Sequence, residues 1–184
     1  MRTLALACTT FVLVILSLFA QSATAQNQYR QFHIEVEPVS YLLSGASVTG
    51  AYQTGQWTYS LELFSRDNPG FLHGNDDFDT SVQGIEVQFE SFISRSSPFF
   101  IGPKVGIFNR EITHTPSGDT KERINLSVGM RGGYQWYTGL GGLYLTPVAG
   151  LGYSLNEKDI EMNDTTFESS YLTPWATIGI GWTF

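Results

Sequence analysis

Apolar and polar residues alternate with a period of two along most of this chain, and no other feature constrains its fold as strongly. From Trp57 to Leu63 the odd positions are apolar or aromatic, and the even positions are polar. This period places the two sets of side chains on opposite faces of a β-strand. Segments predicted as strands on this basis are 32–36, 46–53, 57–63, 85–93, 99–110, 124–136, 143–154 and 171–184. We therefore expect an all-β fold with eight antiparallel strands.

The connections between these segments differ in length in a regular way. Short turns are predicted at 54–55, 95–98 and 138–142, and long polar loops at 66–81, 113–123 and 156–170. A short connection near Ser44 and Gly45 is the exception on the long-loop side. Outer-membrane barrels have short periplasmic turns and longer extracellular loops. The spacing therefore predicts an up-and-down transmembrane β-barrel.

The beginning of the chain is typical of a cleaved export signal. An apolar run from Ala5 to Ala20 follows Arg2, and Ala23 and Ala25 supply the small residues that a signal peptidase requires. The run is short for a helix that must cross a bilayer core of roughly 30 Å. We expect cleavage after residue 25, so that residues 26–184 form one outer-membrane barrel domain.

Removal of the signal limits the chemistry of the mature chain. Cys8, the only cysteine, lies within the signal, so disulfides and thiol catalysis are excluded from the mature chain. Nine Lys and Arg then face 17 Asp and Glu, a net charge of −8 with neutral His. No basic run is present to bind phosphates. We expect neither nucleic acid nor a cofactor as a partner.

The placement of aromatic residues decides whether the apolar faces meet lipid or a soluble core. Trp57, Trp136 and Trp182 all lie on the apolar face at the predicted short-turn end, and Phe99 and Phe184 share their phase. Amphipathic aromatic rings are favoured at the membrane–water interface. A soluble core gives no reason to collect tryptophan at one rim. We therefore expect these five residues to form an interfacial ring.

If the apolar faces meet lipid, the polar faces line the lumen. The expected lumen network consists of Glu35, Glu37, Glu62, Glu86, Glu90, Lys104, Arg110 and Arg131. Opposite charges would meet across neighbouring strands, because an unpaired charge is costly at low dielectric. Many other polar-face residues are Gly, Ser or Thr, which suits a narrow lumen filled by side chains. We expect no wide pore.

The end of the chain resembles the terminal assembly signal of outer-membrane barrels. Thr177, Gly179, Trp182 and Phe184 match its polar residue, its glycine and its terminal aromatic residues. With the alternation before it, the mature chain is similar to the barrel domains of the OmpA/OmpX-like or opacity-protein type. The resemblance implies insertion by the barrel-assembly machinery, with the last strand as the recognised element. No periplasmic peptidoglycan-binding domain is expected to follow.

The histidines offer few candidates for catalysis. His33, His73 and His114 are widely spaced and lack the spacing of metal ligands on one element. His33 and Glu35 share a strand face and could activate Ser60, as in outer-membrane lipid A deacylases. The local histidine motif of such enzymes is absent, so an ordinary lumen or rim histidine is favoured.

Acidic residues in the long loops are candidates for divalent cations. Asn75, Asp77, Asp79 and Glu86 match four positions of a calcium loop, but Thr80 replaces the glycine that the turn requires. Looser binding would involve the loop carboxylates of Asp76, Asp77, Asp79, Glu157, Asp159, Glu161 and Asp164. These carboxylates are more simply interpreted as solvated loop charges, and the alternative is that they bridge to lipopolysaccharide through divalent ions.

Four functions are compatible with these patterns. The favoured one is a non-enzymatic outer-membrane protein with a structural or surface-interaction role, an ion-paired lumen and acidic extracellular loops. A channel or carrier for small or hydrophobic solutes would need a continuous gap beside Glu62, Glu86, Lys104 and Arg131. A lipid-modifying enzyme would need His, Ser and a carboxylate at one rim. A soluble lipocalin-like barrel would leave the aromatic ring unexplained.

Overall fold

Eight long strands and a few short elements make up the described part of the chain. A computed structural model describes residues 30–68, 70, 74–94, 96–163 and 165–184. The predicted signal segment lies outside the described residues, as do His73 and Asp164. The long strands are β1 (Arg30–Val36), β2 (Ala46–Thr54), β3 (Trp57–Asn68), β4 (Phe78–Phe92), β5 (Phe99–His114), β6 (Thr120–Tyr134), β8 (Leu143–Ser154) and β11 (Leu172–Thr183). The short elements are α1 (Pro38–Leu42), β7 (Trp136–Tyr137), β9 (Ile160–Met162) and β10 (Thr165–Phe167).

The long strands close into a barrel. Each pairs in antiparallel orientation with the next long strand, and β11 pairs with β1. The ladder of register partners that starts at Thr173 returns to the same strand at Thr183, ten residues further on. It passes through Gly152, Gly129, Lys104, Gln88, Ser60, Ala51 and His33. The predicted eight-stranded antiparallel barrel is confirmed, and this shear corresponds to a strand tilt of about 40°.

The two faces of the barrel wall have opposite character. Outward-facing side chains such as Leu61, Val87 and Ile107 are each about half exposed. Inward-facing Gln88 and Asn125 are polar and fully buried. This order is the reverse of a soluble protein, in which apolar residues fill the interior. The lipocalin-like alternative required an apolar interior, whereas the interior at this level of the barrel is polar.

The apolar outer band has a definite upper limit. Toward the long-loop end, the last apolar residues on the outer faces of β3, β4 and β5 are the register partners Leu63, Ile85 and Ile107. The next outward residues in that direction are polar: Ser65, Gln83 and Asn109. The band on β5 begins at Phe99, eight residues before Ile107. With ~3.3 Å per residue and the tilt above, that segment rises about 20 Å, close to the ~25 Å apolar band of outer-membrane barrels.

Beyond this band the strands extend further than the sequence analysis predicted. Since β4 begins at Phe78, β5 ends at His114 and β6 begins at Thr120, the connections expected at 66–81 and 113–123 are shorter than predicted. The connection expected at 156–170 contains the hairpin of β9 and β10. The inward side chains of the extensions pack against this hairpin in a cluster, the loop core, of Phe78, Ile112, Ile160, Met162 and Phe167. Apolar burial therefore stabilises strands where loops were expected.

The connection between β1 and β2 also differs from the expected short turn. β1 ends at Val36, and α1 occupies the space before the chain turns at Ser44 and Gly45. Pro38 stands at the start of α1, a position where its missing N–H costs nothing. In the described part of the chain, no helix has the length and hydrophobicity to span a bilayer.

Candidate functional site: the lumen and its mouth

The inward-facing polar side chains meet in the middle of the barrel as one connected network. Glu62 of β3 accepts hydrogen bonds from Ser47 Oγ at 3.0 Å and from Gln88 Nε2 at 2.8 Å. The same Gln88 amide nitrogen donates to Glu86 Oε1 at 3.0 Å. A glutamine amide provides two N–H donors and an acceptor oxygen. Gln88 therefore joins carboxylates of two strands and still has an oxygen for a third contact.

Arg131 of β6 makes that third contact over β5, the strand that lies between β4 and β6. Its Nη1 donates to Gln88 Oε1, and its Nε lies 2.9 Å from Glu90 Oε1. The Arg131 and Glu90 side chains are 6 % and 8 % exposed. Removing one partner of such a pair leaves a buried charge uncompensated. The network therefore fixes β3, β4 and β6 relative to one another.

Lys104 of β5 is the second cation of the network. Its Nζ lies 2.9 Å from Glu86 Oε2 and 4.2 Å from the centroid of the Trp175 ring. A cation over an indole face is attracted by the ring quadrupole. Trp175 thus lies inside the barrel, unlike the three tryptophans assigned to the rim.

Carboxylates outnumber cations at this level of the lumen. Glu35 and Glu37 join the three glutamates named above, whereas the cations that act on Glu37 are Lys104, Arg131 and Arg66, of which the sequence analysis missed Arg66. Glu35 packs against β11 at Gly179, where a Cβ atom would lie 2.3 Å from Glu35 Oε1. Glu37 is buried at the start of α1. The interior is therefore a poor environment for an additional anion.

At the short-turn end the lumen contains a small polar cavity of about 40 Å³. That volume is enough for a few water molecules. His33 and Ser60 both line it, but His33 Nε2 is 3.1 Å from Gln53 Oε1 and His33 Nδ1 is 3.0 Å from Thr183 Oγ1. Since both ring nitrogens have these partners, His33 does not hold Ser60 as a nucleophile in this geometry. The arrangement required for the deacylase alternative is not assembled.

At the long-loop end a buried carboxylate, that of Glu157, lies at the mouth of the barrel. Glu157 Oε1 lies 2.9 Å from Arg110 Nη1 and 3.5 Å from Arg123 Nη1. Its Oε2 accepts a hydrogen bond from Asn125 Nδ2 at 2.7 Å. Arg110 was expected in the central network and Glu157 as a solvated loop charge, but the structure brings them together here. The fold of the last loop explains the difference, because it carries Glu157 inward to contact Arg110 of β5 and Asn125 of β6.

The five expected rim aromatics lie on the outside of the barrel at its short-turn end. Trp57, Phe99, Trp136 and Trp182 are exposed, and Phe184 is partly exposed. Two further rings extend the set. Phe89 stacks on Trp57 with centroids 5.1 Å apart, and Tyr134 contacts Phe99 edge-on at 4.9 Å. The exposed rings give this rim the composition of an interfacial belt.

The four residues assigned to the assembly signal lie on or directly after β11. Phe184 N–H donates to Phe32 O at 2.9 Å, which extends the ladder between the first and last strands. Gly179 faces inward against Glu35, whereas Trp182 faces outward. Thr177 Oγ1 is buried and has no hydrogen-bond partner among the described residues. Phe184 and Gly179 therefore have structural contacts besides any recognition by an assembly factor.

The candidate calcium loop is not assembled as a ligand set. Glu86 points into the lumen and pairs with Lys104, and Asp79 Oδ1 accepts a hydrogen bond from Gly70 N–H at 3.2 Å. Within the described ranges, no group of three or more His, Cys, Asp or Glu side chains is arranged to hold a metal ion. Binding of divalent cations by the loops stays a prediction.

Several residues of the site were missed by the sequence analysis. Gln88 shares the period of Glu86 and Glu90, so its lumen position could have been inferred, but its central role depends on contacts across the barrel. The phase of Trp175 between Thr173 and Thr177 also indicated the lumen. Nothing local in the sequence distinguishes Glu157 from its solvated acidic neighbours.

Two solved structures are similar to this fold. The crystal structure of Neisserial surface protein A aligns with a TM-score of 0.50 and 11% sequence identity, covering 84% of this chain and 94% of that one. The N-terminal β-barrel domain of Pseudomonas aeruginosa OprF aligns with a TM-score of 0.44 and 12% identity, covering 84% and 96%. No family model and no curated protein matches the sequence. The first of these similarities supports the small outer-membrane barrel fold that the sequence predicted.

Proposed function

We propose that the mature protein is an integral protein of the bacterial outer membrane, exported by cleavage after residue 25 and inserted by the barrel-assembly machinery. The support is the band of exposed apolar side chains between the aromatic rim at Trp57 and the polar limit above Leu63. Soluble monomers rarely expose contiguous apolar patches beyond a few hundred Å². A surface of this kind around the whole barrel is suited to lipid.

Cell fractionation and heat modifiability test this location. The full chain should fractionate with outer membranes and change its gel mobility on boiling, whereas a variant lacking residues 182–184 should fail to assemble. A protein recovered from the periplasm in soluble form, with no mobility shift, would contradict the proposed location. Edman sequencing of the recovered protein should begin at Gln26 if the signal is cleaved as expected.

For the barrel itself we propose a structural or surface-interaction role without solute conduction. The observation that carries this proposal is the network of Glu62, Gln88, Arg131 and Glu90, whose hydrogen bonds and ion pair join β3, β4 and β6 inside the lumen. A small barrel filled by paired side chains leaves no continuous aqueous path. Glu157 adds a second closure at the mouth through Arg110. No enzymatic role is proposed.

Planar-bilayer conductance separates this role from that of a channel. The wild-type protein should give no stable conductance steps. A double variant with Glu90→Ser and Arg131→Ser shortens both members of the central pair and leaves no lone charge. It should conduct measurably more than a control with Glu122→Ser on the outer surface. Stable wild-type steps would favour the channel alternative instead.

The exposed loops are the proposed contact with lipopolysaccharide. Four carboxylates at the long-loop end of the barrel are exposed, those of Asp76, Asp77, Asp159 and Glu161. Carboxylate oxygens are suitable ligands for Ca²⁺ and Mg²⁺, which would bridge them to anionic headgroups. Purified lipopolysaccharide should bind the wild-type protein more tightly in calcium than in EDTA. Replacing the four carboxylates by amides should remove that difference.

A further inference from the structure

One part of the barrel wall lacks a strand. The β1–β11 ladder ends at the pair Val36 and Ile180, whereas β11 continues to Leu172 with β8 on its other side. The short helix α1 lies beside this open edge. We call the gap between α1 and residues 172–178 the seam.

Two prolines account for the seam. Phe184 N–H points to β1 and donates to Phe32 O, whereas Thr183 N–H points to β8 and donates to Gly142 O. The backbone N–H and C=O groups of the even-numbered residues of β11 therefore face β1. The next hydrogen-bonded pair after Val36 and Ile180 would join Pro38 to Ile178. Pro38 has no N–H to donate. Pro174 lies on the same edge of β11 and also offers no N–H.

Most of the seam lies within the apolar band. Ile178 is four residues and Leu172 ten residues beyond Trp182 of the rim. At ~3.3 Å per residue and a tilt of about 40°, the seam extends from about 10 Å to about 25 Å above that rim. An open sheet edge in contact with hydrocarbon leaves backbone groups without partners, which is strongly unfavourable. Some group must therefore complete this edge in the membrane.

The helix α1 covers the seam incompletely. It has five residues, and the Tyr41 and Leu42 side chains are 52 % and 84 % exposed. The segment that follows is anchored on the opposite side, where Leu43 O accepts a hydrogen bond from Asp67 N–H at 2.8 Å. Exposed Leu172 lies on the far side of the seam. Apolar side chains thus border the seam on its outer surface.

The lumen side of the same segment carries two polar atoms without partners. Trp175 Nε1 and Thr177 Oγ1 are both buried, and neither has a hydrogen-bond partner among the described residues. Both side chains point inward and are two residues apart, in the part of β11 that has no strand beside it on the β1 side. A buried donor without a partner costs free energy, so a ligand that supplies an acceptor would be stabilised there.

We propose that the seam binds an uncharged single-chain amphiphile of the membrane, whose oxygen accepts from Trp175 Nε1–H and contacts the Thr177 hydroxyl. Its chain would lie between α1 and β11 against Tyr41 and Leu42. The choice of an uncharged ligand follows from the lumen charge, because five glutamates face three cations there, Arg66 as well as Lys104 and Arg131, and an anionic headgroup would be repelled. This site is independent of whether the lumen conducts.

Quenching of Trp175 fluorescence tests the proposal. Trp57, Trp136 and Trp182 are replaced by Phe, and the protein is reconstituted in phosphatidylcholine vesicles. The probe is dodecanol with bromine on the carbon beside its hydroxyl. Quenching should saturate with the mole fraction of the probe and be reversed by excess unbrominated dodecanol. The equivalent brominated dodecanoate at high pH should bind at least about tenfold more weakly, because the lumen charge opposes it.

A pair of substitutions locates the site. Thr177→Val in the same background should weaken dodecanol binding by about three- to tenfold, the effect of one hydrogen bond. Thr146→Val is the matched control, since Thr146 is also inward-facing and buried with an unpartnered Oγ1 but lines the cavity at the short-turn end. Heat-shifted gel mobility verifies that each variant is folded. Quenching that rises linearly with the probe, equal binding of the carboxylate, or equal effects of the two substitutions would each overturn the proposal.

Discussion

Glu157 and Arg110 form an ion pair at 2.9 Å that connects the last loop to the wall of the barrel. The Glu157 side chain has no exposed surface, whereas that of Arg110 is 18 % exposed. Arg123 and Asn125 contact the same carboxylate from β6. One side chain therefore holds the hairpin of β9 and β10 over the mouth, where the loop core packs.

Replacing Glu157 by Ala should lower the free energy of unfolding by about 2 kcal/mol, because it removes hydrogen bonds to charged groups and leaves two arginines unpaired. Urea unfolding in lipid vesicles measures this change. Trypsin should also cut more rapidly after Lys158, which follows in the loop. The control is Glu122→Ala on the exposed surface, where an effect below about 0.5 kcal/mol is expected. Equal effects of the two substitutions would contradict a closing role for Glu157.

The barrel could be predicted from the sequence because lipid outside and paired polar groups inside impose opposite requirements on alternate residues. Every long strand from Trp57 to Phe184 carries that pattern in its own local sequence. Strand lengths were less accurate, since the extensions of β4 and β5 are stabilised by Ile160 and Phe167 from a distant hairpin. No local period reports such a contact.

The site could be predicted only as a set of inward-facing residues. The phase of Glu86 and Arg131 fixed which side they face, but the partners depend on the diameter and shear of the closed barrel. Gln88 and Arg131 are 43 residues apart in the chain, and they meet inside the lumen over β5. The seam was hidden for another reason: Pro38 follows a clear strand pattern and has its effect through the register with β11.

Asp119, in the turn between β5 and β6, should lose its contact with Asn163 at acid pH. Hydrogen bonds from Asn163 and Ser117 lower the pKa of the exposed Asp119 carboxyl. A lowered pKa in the folded state means that the stabilisation is present above the unfolded pKa of about 3.9 and is lost as the pH falls through the folded value. Asn163→Ala should raise the pKa of Asp119, as measured by carboxyl NMR titration. An unchanged titration would show that the Asn163 contact is absent in solution.

Arg131 should be more important for folding than any other cation of the lumen. Arg131→Met should lower the free energy of unfolding by about 3 to 5 kcal/mol, because Glu90 is left buried without its partner. The double variant with Glu90→Met should recover most of this loss, since a buried ion pair contributes little relative to apolar side chains of similar size. Urea unfolding of both variants in vesicles gives the two values. A double variant no more stable than the single one would contradict the assigned pairing.

Gly179 presents two explanations for one residue. The resemblance to an assembly signal predicts that it is a recognition element, whereas the structure gives it a packing role against Glu35. Added at Gly179, a Cβ atom would lie 2.3 Å from Glu35 Oε1, but at Gly50 it would meet nothing within 4 Å. The two glycines therefore form a matched pair for substitution.

Gly179→Ala should lower the free energy of unfolding in vesicles by about 1 to 3 kcal/mol, the usual cost of overpacking, and Gly50→Ala should change it little. Adding Glu35→Ala to the first variant should restore most of the loss, because it removes the side chain that the new Cβ contacts. Spontaneous refolding from urea into vesicles measures these values without any assembly factor. If Gly179→Ala is neutral in this assay but reduces assembly in cells, the recognition role explains the glycine and the packing role does not.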